Sequence, residues 1–346
     1  MTYSTGMRLS RASLGALLLV ACVSETPKPP YLDHGVAPPI IPAAGGDGGV
    51  KDSGVFDGAA AALAPALNAR GIALSGGYVY VANQNSGAAT GTLFRVATLG
   101  APAQDLVSNL VEPWAVVASP THVTFSTVRG SDGNGAVYDV VLGASTATVL
   151  AASTVDAYGL ATDATSAYFT DTSAGLGVER RGLNGSGAER LATSNALAAG
   201  YALRIQGSDL YVAASNGVVY HAPLGGGVLE PLDVPLAFPL VDLVVVGTTV
   251  FAALDAPTPN GAIVTFPRAG GPAKTYVGSL DHPARLATDG TRLYWTNPAA
   301  GTVSSVNLAG TPEVQTVAAD LTSPYALAVA DAVYVTTAAS VMKLPK

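Results

Sequence analysis

Cysteine is almost missing from this chain: Cys22 is the only one in 346 residues. A single thiol cannot form an internal disulfide, so no disulfide framework supports the fold. Charge is sparse as well, at 12 % of residues, and it sums to −7 at pH 7. Lysine and arginine are scattered, with Arg180-Arg181 as their one adjacent pair. That excludes nucleic acid as a partner, because a phosphate backbone needs a clustered positive surface. The four histidines, His34, His122, His221 and His282, show no paired metal-ligand spacing, so neither a metal nor another cofactor is expected. Long apolar runs are lacking too. The densest stretch beyond the N-terminus, Leu240 to Leu254, is interrupted by Asp242 and a Gly-Thr-Thr turn and reads as two strands, not a spanning helix. Helical periodicity is missing, and no GxGxxG opens a helix. Asn184-Gly185-Ser186-Gly187 lacks the first glycine of a nucleophile elbow. Ser131-Asp132-Gly133-Asn134-Gly135 has too few acidic ligands for a calcium loop.

What is present begins with an address. Arg8 and Arg11 precede an apolar core from Leu14 to Ala21, the plan of a bacterial export signal and too short to span a bilayer. The core ends in Leu19-Val20-Ala21-Cys22, which resembles the lipobox of bacterial lipoproteins. The resemblance implies cleavage before Cys22, transfer of a diacylglyceryl group to its thiol, and several acyl chains such as palmitate. More than one chain is what stable anchoring requires. A lone thiol at this position in an exported chain fits an acyl acceptor better than a redox group. Residues 1–21 are therefore read as a lipoprotein signal peptide and 22–50 as the lipidated cysteine and a linker. The linker carries six prolines between Pro27 and Pro42, then Gly45-Gly46-Asp47-Gly48-Gly49, the composition of an extended, then flexible spacer. Residues 51–346 form the domain. The expected location is the cell envelope, at the outer membrane, with the membrane as a partner through Cys22.

The domain is a repeat. Tyr80, Thr124, Tyr168, Tyr211, Phe251, Tyr294 and Tyr334 mark the centre of an alternating apolar run in seven copies spaced 40 to 44 residues apart. Each copy holds several short strands separated by glycine turns such as Gly76-Gly77, Gly207-Ser208 and Gly247-Thr248. This is the signature of propeller blades. In the sixth copy the strands are expected at Arg285–Thr288, Arg292–Thr296, Thr302–Leu308 and Val314–Ala318. The near-continuous apolar character of the first strand in each copy suggests burial on both faces. The seventh copy shows three strands, and a spare run from Val55 to Ala62 stands before the first. The expected fold is all-β: a seven-bladed β-propeller of four-stranded antiparallel blades, its ring closed by that N-terminal strand and its chain monomeric.

Leu293-Tyr294-Trp295-Thr296-Asn297 resembles the LYWTD element of propellers related to the low-density lipoprotein receptor, and Ala167-Tyr168-Phe169-Thr170-Asp171 is a weaker match. The pattern covers roughly residues 55–345. Two departures stand out: Asn297 replaces the acidic residue, and that family has six blades. The motif implies blade-locking architecture and no activity. The chain is similar in the same general way to TolB-like and NHL-like propellers, which implies an interaction module.

The repeat register points to a site. Residues opening the first strands should ring the mouth of the central channel: Arg70, Trp114, Tyr158, Tyr201 and Tyr325, with Asp242 and Arg285 one position deeper. Aromatic rings around charged groups suit a sugar, a peptide end or a small aromatic ligand. The expected function is a lipid-anchored, non-catalytic binding module taking a protein or glycan of the envelope at this end. The alternative is a propeller lyase or lactonase with a metal at the channel mouth.

Overall fold

The computed structural model describes residues 59–85, 89–128, 135–144, 146–196 and 198–346. The linker, the signal segment and Val55 to Gly58 lie outside the described residues, as does the start of the domain at position 51. Strands pair into seven antiparallel sheets, each one blade. Blade 1 is Ala69–Ser75, Tyr78–Asn83, Gly91–Ala97 and Gln104–Leu110, from the innermost strand outward. Blades 2 to 6 repeat that order, with first strands at Pro113–Ala118, Leu160–Thr162, Gly200–Gln206, Leu240–Val246 and Leu286–Thr288. Blade 3 gains a fifth, parallel edge strand, Gly227–Val228, from the region of blade 4. The expected propeller is therefore observed, and the strands of the sixth copy fall within a residue or two of the expected limits.

Blade 7 holds Leu327–Val329, Val333–Thr336 and Ser340–Leu344, and its outer strand is Ala61–Pro65. Ala61 pairs with Lys343 and Pro65 with Ser340, across a bulge between Ala62 and Ala64. An N-terminal strand does close the ring, centred several residues later than the Val55–Ala62 run. Proline stands at its end, where a missing backbone donor costs least.

Burial corrects one expectation. It is the second strand of each blade that is buried on both faces: in six blades every residue of it after the first is buried. First strands are partly open, because one edge borders the central channel. Outer strands are mostly exposed, as in Gln104–Leu110 and Val314–Ala318. The glycine hairpins work as expected: Gly76 and Gly77 take φ of 57° and 78°, the left-handed backbone of a tight turn.

The blades are locked by threonines at one register position. Thr170 Oγ1 accepts from the Gly159 amide of its own first strand and donates to the Gly200 carbonyl of the next blade, at 3.0 and 2.9 Å. Thr296 does the same with the Arg285 amide and Tyr325 carbonyl, at 3.1 and 2.9 Å. Thr336 links the Ala326 amide to the Ala69 carbonyl, which ties blade 7 to blade 1. The Thr of the LYWTN element is thus an inter-blade clamp.

Candidate functional site: the channel end and its cavity

Within each blade, antiparallel pairing brings the start of the first strand to the same end as the loop between strands two and three. The seven residues singled out from the register meet at that end. Trp114 meets Tyr158 edge-on with ring centroids 5.0 Å apart, and Tyr158 meets Tyr201 the same way at 5.6 Å. In the other direction, the Arg70 guanidinium lies 5.8 Å from the Trp114 ring and 4.9 Å from that of Tyr325. Arg285 stands 4.9 Å from the same Tyr325 ring and donates to its hydroxyl at 2.8 Å. The result is an arc through blades 4, 3, 2, 1, 7 and 6, with apolar Val241 in the place blade 5 offers.

The four aromatic residues are only 3–6 % exposed. Their edges pack against one another, so they cover the channel end and do not offer open faces for stacking. Burial pushes the Tyr201 phenol well above its ordinary value, with the Asp156 and Asp255 charges adding to the shift, so this hydroxyl stays protonated at any physiological pH. Arg70 and Arg285 keep partial exposure.

One position deeper, small residues let neighbouring first strands approach. A Cβ on Gly71 would stand 2.4 Å from the Trp114 carbonyl oxygen, so the backbones touch there. Asp242 and Arg285 occupy this level in blades 5 and 6. Asp242, 1 % exposed, accepts from the amides of Leu243 and Leu286 and from Arg204 Nη2 at 2.9, 3.0 and 2.8 Å. Arg285 donates to the Val241 carbonyl at 3.1 Å, besides Tyr325. The cation hydrogen-bonded to Asp242 is thus Arg204, which register reasoning passed over. A signal existed: Arg204 puts a charge in a mostly apolar first strand just as Asp242 does.

Beneath the aromatic cover lies a cavity of about 400 Å³ lined by the first strands. Exposure rises along them, from buried Trp114 to part-exposed Ala118 and from buried Tyr201 to exposed Gln206. The cavity therefore opens toward the hairpin end of the ring, away from the aromatic arc.

A second polar group accompanies the arc. His282 Nδ1 lies 2.6 Å from Asp255 Oδ1, and the Asp255 side chain is wholly buried. A similar pair, His122 with Asp139 at 2.6 Å, sits on strands two and three of blade 2, far from the channel in the blade order. His221 stacks on Tyr211 in blade 4, and His34 lies outside the described residues. Among the described residues no three His, Cys, Asp or Glu side chains gather into a metal site. The described donors thus do not fit the metal that the lyase or lactonase alternative implies.

No family model matches the chain, and no curated protein matches it. Solved structures do. Virginiamycin B lyase from Staphylococcus aureus superposes with a TM-score of 0.67 at 12 % identity, covering 83 % of this chain and 98 % of that one. A streptogramin B lyase gives 0.66 at 14 % identity, with 83 % and 97 % covered. The computationally designed Ika8 protein gives 0.57 at 12 %, with 80 % and 83 % covered. At these identities the likeness establishes the fold, and what it shows is a seven-bladed β-propeller.

Proposed function

We propose that the chain is a lipid-anchored, non-catalytic binding module of the cell envelope, and that its ligand, a protein or glycan, docks at the propeller end carrying the aromatic–arginine arc. The observation that carries this reading is the convergence of Arg70, from blade 1, and Arg285, from blade 6, on the Tyr325 ring of blade 7 between them. Arginine and tyrosine held by packing are the residue types that dominate binding surfaces. Because the ring faces are buried, the arginines and the exposed residues 257–260, between strands two and three of blade 5, are the parts that meet the ligand. The anchor rests on Leu19-Val20-Ala21-Cys22. The test uses the Cys22→Ser chain as bait on an envelope extract and a glycan array. Capture that disappears with Arg70→Ala and Arg285→Ala is the expected result; capture indifferent to both would refute the site. Fractionation of the same Cys22→Ser chain checks the anchor, since it should leave the membrane fraction.

A second reading, a lyase or lactonase, is favoured by the His282–Asp255 pair. A buried carboxylate on Nδ1 orients the ring and leaves Nε2 as a general base. What this reading takes from the described residues is a base: His282 Nε2 would accept a proton from substrate or water. His282→Gln separates the two: capture persists under the first reading, and any turnover is lost under the second.

A further inference from the structure

We propose that the central cavity is a second site, which binds a small aliphatic carboxylate with Arg204 as the group that takes its charge. The starting point is the register. At the position of Arg204 the other six first strands carry Ala73, Val117, Ala161, Val244, Ala287 and Ala328. The scaffold is thus built six times over with a small apolar side chain, and the seventh places a guanidinium in the channel. A guanidinium at this height departs from an otherwise aliphatic ring of side chains.

Asp242 does not fully account for it. That carboxylate already holds two backbone amides, and Arg204 spends Nη2 on it and Nη1 on the Leu203 carbonyl at 2.9 Å. A guanidinium has five donors in a planar fork, so further N–H groups remain. The Arg204 side chain is 38 % exposed and lines the cavity. Three arginines and one aspartate line that cavity in a chain of net charge −7, so the local charge opposes the global one. Trp114 also lies on the lining, so its fluorescence reports on the cavity. A carboxylate offers acceptors of the right planarity for the fork. The remaining wall includes Ala73, Val117, Ala161 and Ile205, with Thr162 beside them, and its aliphatic side chains suit a hydrocarbon tail better than a fully hydrated anion such as phosphate.

Calorimetric titration of the Cys22→Ser chain, with tryptophan fluorescence followed in parallel, tests this. The probes are hexanoate, hexanamide, inorganic phosphate and a short peptide with a free C-terminal carboxylate. Saturable hexanoate binding that perturbs the tryptophan signal is expected, with neither hexanamide nor phosphate doing so. The double variant Arg204→Met/Asp242→Asn removes both charges and so leaves no unpaired carboxylate; it should weaken hexanoate by roughly tenfold or more. Arg204→Lys, which keeps the charge and loses the fork, should fall between. The proposal is overturned by no hexanoate binding up to about 10 mM, by equal binding of hexanamide, by binding of the peptide acid alone, or by an unchanged affinity in a double variant whose circular dichroism is native. Arg70 and Arg285 border both sites, so the deciding variants here are at Arg204 and Asp242, which the capture test does not use, and the two proposals can fail independently.

Discussion

Asp289 shows how one side chain sets a blade corner. Its Oδ1 accepts from the amides of Thr291 and Arg292 and from the Thr291 hydroxyl, while Oδ2 takes the Tyr294 hydroxyl at 3.1 Å and Lys346 at 3.0 Å. Burial works against the charge, but these donors outweigh it and hold the carboxyl well below the usual carboxylate range. Burial, then the bond to Asp289, pushes the Tyr294 phenol up to about 12. Asp163 with Tyr168 and Asp331 with Tyr334 repeat the pair, so the device belongs to the repeat. The signs are opposite for the two partners. A depressed carboxyl adds stability above its unfolded value of about 4, lost as pH falls through the folded value. A raised phenol adds stability below about 10, lost as pH rises through 12. Asp289→Asn should therefore melt below the parent chain at pH 7, with the gap narrowing as pH falls below 4. Thermal melts across pH 2.5 to 7 check it; a gap constant with pH would show that the charge contributes nothing.

At the scale of the strand, Ala61–Pro65 makes the ring continuous. It pairs with Ser340–Leu344, and Ala66 donates to the Ala339 carbonyl just beyond it. Behind the seam, buried Lys343 reaches Asp331 and the Thr98 carbonyl, at 3.1 and 3.3 Å, spanning blades 7 and 1. A chain starting at Asn68 loses these ladder bonds, each worth about 1 kcal/mol, and leaves Ser340–Leu344 as an open edge. Its melting temperature should fall by several degrees or more, and it should self-associate in sizing chromatography; a monomer of unchanged stability would show that closure lies elsewhere. That a closing strand exists was legible in the sequence, because the last copy lacks one and the run before the first is spare. Its place was not, because Val55–Ala62 and Ala61–Pro65 are both short and apolar, and pairing register depends on a bulge. The channel residues were legible for a similar reason: a fixed period puts one residue of each blade at one height. Burial of Trp114, Tyr158 and Tyr201 was not, since alternation assigns a height and a face but not what a neighbour covers. The pairing of Arg204 with Asp242 and of His282 with Asp255 depends on contacts between blades and loops, which no period within one copy encodes.

Over the whole molecule, a closed ring has consequences that an open array of repeats lacks. In an open array a local defect can melt one end while the rest stays folded, because each unit touches only its neighbours. Here every blade has two neighbours, and one apolar cluster draws residues from six blades, among them Trp114, Tyr158, Tyr201, Ile263, Trp295 and Tyr325. Losing one blade would expose that shared core and two blade faces at once. Damage at a single junction should therefore lower the stability of all seven blades together. Thr170→Val is a direct trial. It deletes the clamp between blades 3 and 4 and strands the buried Gly159 amide without its acceptor, a cost of about 1–3 kcal/mol. For a domain of this size that corresponds to a drop of several degrees in melting temperature. The transition should remain single, with calorimetric and van't Hoff enthalpies equal and amide exchange accelerated as much in blades 1 and 6 as in blade 3. Two resolved transitions, or exchange faster only beside Thr170, would mean that the blades are coupled pairwise and that the ring is not one cooperative unit.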